Sequence, residues 1–432
     1  MNKKAYILSC FLTALLLIPG PGGKQALLAH RAISLQECRE AARRSHSVSE
    51  QMELLESAGR AGQDILRKLI TPEIIGFATA SYQSDVTRFT AEDGFAADFS
   101  PMVKDQYRTG IYAQQLIYDG GVYRQRSALA ETEKNLREAS LERQQRMIEN
   151  GVDELFLQAI LLNKGHQILF NQKDILKNRQ KQLEALYEEG KVFRVELLEA
   201  EAALIRIGAE IKELQASEEK VRAMLSTLTG IPVNPEDSLI LPEGEANDTR
   251  KEDPLFRQLR LEMERSTLSE KLSRSAAMPN IQAAGSVGYA RPGLNLFSSD
   301  FDTYWVVGLS LSIPITDWRD HRKQSGLFAI ERDQLGIRYD NLRREEELRL
   351  RELEGEIIKY DQLIQEDEKL IEKHRQIREE YEAMHDEGAA SMTDLLQALS
   401  EESGAKLRKA GHQIEKIRIS LQRNKVIIRE HK

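Results

Sequence analysis

A passage that occurs twice at one fixed spacing constrains this chain more than anything else in it. Leu-Ile-Tyr-Asp at 116–119 opens a long helix-patterned stretch, and Pro-Ile-Thr-Asp at 314–317 does the same 198 positions later. At the far end of those stretches Glu189-Gly190 precedes Glu196-Leu197-Leu198-Glu199-Ala200. Glu387-Gly388 precedes Asp394-Leu395-Leu396-Gln397-Ala398 at the same offset of 198. Two distant landmarks with one offset make the chain two copies of one unit, 30–235 and 236–432. Each copy has a strand-to-helix junction and a helical hairpin tip.

The helices are read from apolar rows at strict sevens. In the first copy Leu141, Ile148, Leu155, Leu162, Leu169, Leu176 and Leu183 form one row, and Ile207, Leu214, Val221 and Leu228 another. In the second copy the rows are Leu350, Ile357, Ile364 and Ile371, a parallel set of Leu363, Leu370, Ile377 and Met384, and then Leu407, Ile414, Leu421 and Ile428. A strict heptad keeps one seam against a partner helix and supercoils left-handed. The pattern predicts helical hairpins over 122–229 and 319–429, with shorter helices over 34–69 and 254–277. At 1.5 Å per residue the helix between Gly121 and Gly190 is about 100 Å long, far beyond a globular core. The expected geometry is a rod with one continuous helix beside two stacked shorter ones. Charged residues at 30% and aromatics at 6% suit such coiled coils. The net charge of −8 and the absence of a basic stripe exclude nucleic acid as a partner.

Strand-like alternation lies only between the short and long helices, over about 73–118 and 281–315. It is clearest where Trp305, Val307, Leu309, Leu311, Ile313 and Ile315 alternate with Tyr304, Val306, Gly308, Ser310, Ser312 and Pro314. Two strands of about ten residues per copy, with long polar loops at Thr90–Gln106 and Arg291–Thr303, match tilted strands of a membrane barrel. Four strands cannot close such a barrel, and unpaired edges are not tolerated in lipid. Several chains must then share one barrel; three would supply twelve strands.

The N-terminus carries an export address. Lys3-Lys4 precede an apolar run from Ala5 to Ile18, with a cleavage site at Leu27-Leu28-Ala29, so residues 1–29 read as a signal peptide. The run mostly follows Cys10 rather than preceding it, which argues against a lipid anchor there. Cys38 is then the one cysteine of the mature chain, a small residue on an apolar helix face with no partner for a disulfide or a metal.

These residues resemble the outer membrane efflux protein family, the TolC-like channel-tunnels. The carriers are Ser34-Leu35-Gln36-Glu37-Cys38 with Ala41-Ala42, Gln115-Leu116-Ile117-Tyr118-Asp119-Gly120-Gly121, and Tyr187-Glu188-Glu189-Gly190 with Leu198-Glu199-Ala200. Leu311-Ser312-Ile313-Pro314-Ile315-Thr316-Asp317 and the motif from Glu387 to Ala398 complete the set. The resemblance covers essentially the whole mature chain. It implies an α+β fold of two tandem repeats, a homotrimer whose strands form one twelve-stranded barrel in the outer membrane, and helices that form a tunnel through the periplasm. It implies efflux or export of small molecules or proteins, with a periplasmic membrane fusion protein and an inner-membrane transporter as partners and outer-membrane lipid around the strands. The tips, Gly190-Lys191 and Gly388-Ala389, would dock the membrane fusion protein. Some members narrow the entrance with acidic pairs past the second tip; here Asp394 fills the first position and Gln397 stands in the second. The strand–helix junctions would lie at Asp119, Gly120, Gly121, Pro314 and Asp317, though Trp318-Arg319 stand where the first copy has Gly120-Gly121.

No catalytic constellation, cofactor motif or metal site is read. Gly120-Gly121 lacks the third glycine and lysine of a phosphate loop. His374 and His385 read as members of a solvated face, and Glu345-Glu346-Glu347 as exposed helix surface. The alternative to a channel is a periplasmic coiled-coil adaptor, which would account for the heptads but would carry a single hairpin and a compact β-rich region.

Overall fold

The computed structural model describes residues 31–86, 103–242, 253–295, 298–315 and 318–426. The signal peptide, Asp317, Ile428 and most of the Thr90–Gln106 loop lie outside them. In chain order the elements are β1 (Ala32–Ile33), α1 (Leu35–Ser45), α2 (Val48–Arg67), β2 (Glu73–Tyr82), β3 (Asp105–Tyr118), α3 (Val122–Glu188) and α4 (Arg194–Thr229). Then follow β4 (Ser238–Leu239), α5 (Pro254–Ala276), β5 (Asn280–Arg291), β6 (Asp302–Ser312), α6 (Trp318–Asp386) and α7 (Met392–Arg423). The repeat holds to the residue at the hairpin tips: α3 and α6 end at 188 and 386, and α4 and α7 begin at 194 and 392.

The heptad rows face inward in the first copy. Leu169, Leu176 and Leu183 of α3 bury against Ile207 and Ile211 of α4 and against Met392, Leu395 and Leu399 of α7. A second core gathers Cys38, Phe156, Leu157, Leu225, Ile414 and Leu421 from α1, α3, α4 and α7. Burial pushes the Cys38 thiol up to about 11, so it stays protonated and serves as packing. Asp153 of α3 binds both Nε and Nη2 of Arg39 at 2.6 and 2.8 Å and also Lys425, tying α1, α3 and the end of α7 together.

The rod geometry is as expected. The 67-residue α3, about 100 Å long, packs along α4 and along α1 and α2; the 69-residue α6 packs along α7 and α5. Three details depart from the sequence reading. The helix expected over 34–69 breaks at Ser47, the one non-glycine residue at positive φ among those described (φ 49°), and Val48 is buried as the chain restarts. β6 ends at Ser312 instead of reaching 315, leaving Ile313 to Ile315 outside the sheet. The parallel pair β1–β4 gives no sequence signal; Ser238 N donates to Arg31 O at 2.9 Å and Ile240 N to Ile33 O at 3.0 Å, which fastens the linker between copies to the N-terminus.

The four long strands form one antiparallel sheet in the order β2-β3-β5-β6, so the copies meet at β3–β5 and the outer edges of β2 and β6 have no partner among the described residues. Register sorts the side chains into two faces. One carries Ile74, Ile111, Ile281, Val287, Trp305, Val307, Leu309 and Leu311; the other carries Glu73, Arg108, Tyr112, Gln114, Gln282, Ser286 and Ser310. On the apolar face Trp305, Val307 and Leu309 are 73–77% exposed.

Candidate functional site: tips, junctions and sheet faces

Both tips are built by the same backbone device. Gly190 (φ 73°) donates to Tyr187 O at 2.9 Å and Lys191 N to Leu186 O at 2.9 Å. Gly388 (φ 74°) donates to His385 O at 3.0 Å and Ala389 N to Met384 O at 2.8 Å. This paired pattern ends a helix on a left-handed residue, which only glycine adopts without strain. A Cβ at either glycine would meet nothing within 4 Å, so the demand is on φ alone.

The side chains at the two tips differ. At the second, Ser391 caps α7: its hydroxyl accepts from Asp394 N at 3.2 Å, and Asp394 Oδ2 accepts from Ser391 N at 3.1 Å. Met392 is fully buried beside it. At the first tip Phe193 occupies the equivalent cap position of α4, makes no side-chain cap bond and is 78% exposed. Tyr187, Val195 and Leu198 are also exposed there, so this tip presents an apolar cluster. An aromatic where a helix start favours Ser, Thr, Asp or Asn was the available sequence signal for it.

Asp394 is thereby engaged at its own helix start. The Ser391 hydroxyl, then the Ser391 backbone N–H, hold its carboxyl below the usual aspartate range. Gln397 lies one turn on, on the wall of a groove of about 530 Å³ between α4 and α7. His385 is a correction: it is not on a solvated face but 7% exposed, because α6 packs it against the first copy. Arg179 of α3 approaches its Nδ1 at 2.5 Å and also Asp386 Oδ1 at 2.5 Å, while Glu196 Oε2 of α4 lies 3.2 Å from its Nε2. His374 is half-buried. Glu345 is exposed, but Glu346 is half-buried and burial raises its pKa. Among the described residues no three His, Cys, Asp or Glu side chains gather to hold a metal ion.

The first junction is explained by Asp119. Its Oδ1 accepts from Gly121 N at 2.8 Å and its Oδ2 from Tyr123 N at 2.5 Å, capping α3 as the chain turns through Gly120 (φ 68°) and Gly121 (φ 93°). Gly120 answers a second demand invisible in sequence: a Cβ there would lie 2.6 Å from Met278 Cβ and from Ser275 O at the end of α5. In the second junction Pro314 is half-buried and Asp317 is outside the described residues.

The outer membrane efflux protein family matches residues 38–230, which include α1 to α4, the first junction and the first tip. Over this stretch, somewhat under half of the chain, the sequence is similar to outer membrane efflux proteins. No curated protein matches it. Three solved channels share its fold. The Campylobacter jejuni CmeC outer membrane channel is 16% identical, with 90% of this chain and 85% of that chain covered at a TM-score of 0.65. The Vibrio cholerae outer membrane protein VceC is 13% identical, covering 91% and 96% at 0.70. The open-state Neisseria gonorrhoeae MtrE outer membrane channel is 16% identical, covering 91% and 88% at 0.68. The two comparisons point the same way: residues 38–230 match the outer membrane efflux protein family, and nine-tenths of the chain shares the fold of solved outer membrane channels. No described helix is long and apolar enough to cross a membrane.

Proposed function

We propose that three copies of this chain close one twelve-stranded barrel in the outer membrane and one helical tunnel beneath it. Through the tunnel small molecules or proteins leave the cell, delivered by an inner-membrane transporter through a membrane fusion protein seated on the tips. The observation that carries this reading is the four-stranded sheet with two free edges and one exposed apolar face. In lipid each edge needs a partner strand, and rotational symmetry joins β6 of one copy to β2 of the next. α6 supports the same closure. Its row of Ile357, Ile364 and Ile371 is half-buried within the chain, while Leu363, Leu370, Ile377 and Met384 stay exposed at sevens, a second seam for a helix of another copy. A compact adaptor would need neither.

Native mass spectrometry of the full chain in detergent tests the stoichiometry; a trimer is expected, and a detergent-free monomer sinks the reading. The face assignment is tested beside it. Leu311→Arg places a charge on the lipid side at about 2–4 kcal/mol near the midplane. Ser310→Arg points the same charge into the lumen. Outer-membrane levels should fall strongly for the first and little for the second; equal levels overturn the assignment.

A further inference from the structure

A cavity of about 410 Å³ lies where α5 ends and α6 begins, lined by Glu270, Ser273, Arg274, Met278, His321, Arg322 and Ser325. It sits at the foot of the sheet: α5 ends at Ala276, β5 starts at Asn280, and His321 is within the first turn of α6. Its chemistry is unlike that of the helix surfaces below, where charges pair along and across helices. Arg274 and Arg322 make no ion pair among the described residues. Glu270, the one carboxylate among the described residues of the wall, is already held by Arg332 at 2.6 Å and by the Ser325 hydroxyl. That hydroxyl first, and Arg332 with it, keeps Glu270 below the usual glutamate range, so its charge is matched from within the protein.

His321 is the odd group. The Ser273 hydroxyl donates to Gln324 Oε1 at 2.6 Å and lies 2.9 Å from His321 Nδ1, so Nδ1–H donates to Ser273 Oγ. The other ring nitrogen, Nε2, is buried without a partner. Buried polar atoms are nearly always satisfied, and an orphan in a roomy cavity with other polar groups in its wall marks a place for a ligand or water. With the guanidinium groups of Arg274 and Arg322 beside it, neither in an ion pair among the described residues, the fitting ligand is an anion with several acceptor oxygens; arginine forks match phosphate oxygens two at a time.

We propose that this cavity binds a phosphate group, held by Arg274, Arg322 and His321 Nε2. Resting on the membrane reading of the sheet, its place at the foot of the strands is the level of the bilayer headgroups, so a phospholipid headgroup and free phosphate are the two sources of one chemistry.

The full-length wild-type channel, purified in a sugar-headgroup detergent free of phosphate, is offered phosphatidylglycerol and analysed by native mass spectrometry. Wild type should retain up to one lipid per subunit. His321→Ala/Arg322→Gln should retain roughly tenfold less at unchanged oligomer mass, and Arg274→Gln, at an exposed position that leaves the packing intact, several-fold less. Arg322→Lys should keep part of the binding. In a second arm, inorganic phosphate is titrated and its ³¹P line width followed. Broadening with wild type but not with the double variant, with no lipid retained, assigns the site to free phosphate. Lipid retention alone assigns it to the headgroup. Neither signal with wild type, or equal signals with wild type and both glutamine-bearing variants, overturns the site. A monomeric mass would instead count against the trimer, while the phosphate arm would still report on the cavity.

Discussion

The two hairpin tips occupy equivalent positions 198 residues apart and share one backbone turn, yet they present opposite surfaces. The Gly388 tip is closed on itself. Ser391 and Asp394 cap α7 reciprocally, Met392 is buried, and His385 and Asp386 on the incoming helix are tied to Arg179 of the first copy. The Gly190 tip is open, with an uncapped helix start and Phe193, Tyr187, Val195 and Leu198 in solvent. A repeat conserves geometry where the backbone demands it and leaves chemistry free where it does not. One tip has spent its polar groups on internal order, and the other keeps apolar surface of the kind that marks a protein contact.

The comparison breaks most readily at the shared turn. Gly388→Val forces a β-branched residue into a left-handed conformation, a strain of about 1–3 kcal/mol concentrated at the tip. Dye efflux from cells should be lost while trimer and membrane level stay at wild type; undiminished efflux removes the tip from the docking role. Next in size is the open tip. Phe193→Ser should weaken co-purification of the proposed membrane fusion protein partner about tenfold, the scale on which an aromatic anchor acts. The matched change at the closed tip, Ser391→Ala, should cost about 1 kcal/mol of local stability and leave partner binding unaltered. Equal losses from both would erase the asymmetry.

The smallest effect expected is that of Asp394→Asn. The ring reading requires a change of cation selectivity in planar bilayers, whereas a carboxylate occupied at a helix start requires none. Because the folded carboxyl is held below its unfolded value, its contribution is fully present above about pH 4 and is lost as pH falls through the lower folded value. The difference in melting temperature between wild type and Asp394→Asn should therefore close on acidification below about pH 4. A difference that persists there, or altered selectivity at neutral pH, returns Asp394 to the entrance.

The helical hairpins and their turns were legible because strict sevens and a repeated glycine are local signals. The four strands were legible by alternation, within a few residues at their ends. The cap of α7 was also readable, since Ser391 and Asp394 stand three apart before an apolar run. The break at Ser47 was not, because neither glycine nor proline marks it. The burial of His385 was not, because it depends on Arg179 some 206 positions away. The same holds for the second demand on Gly120: besides the positive φ of its own turn, its lack of a Cβ makes room for the end of α5.

The free edges of β2 and β6 carry a consequence for the life of the subunit before it works. Until its neighbours arrive, each new chain offers two unsatisfied rows of backbone donors and acceptors together with an apolar sheet face. Those are the features that template aggregation. On the proposed trimer such a subunit would need its edges shielded on its way to the membrane, and its assembly should depend steeply on how many copies are made at once. A variant that folds its helices but blocks one edge would poison its neighbours and act dominantly when co-expressed with the normal chain.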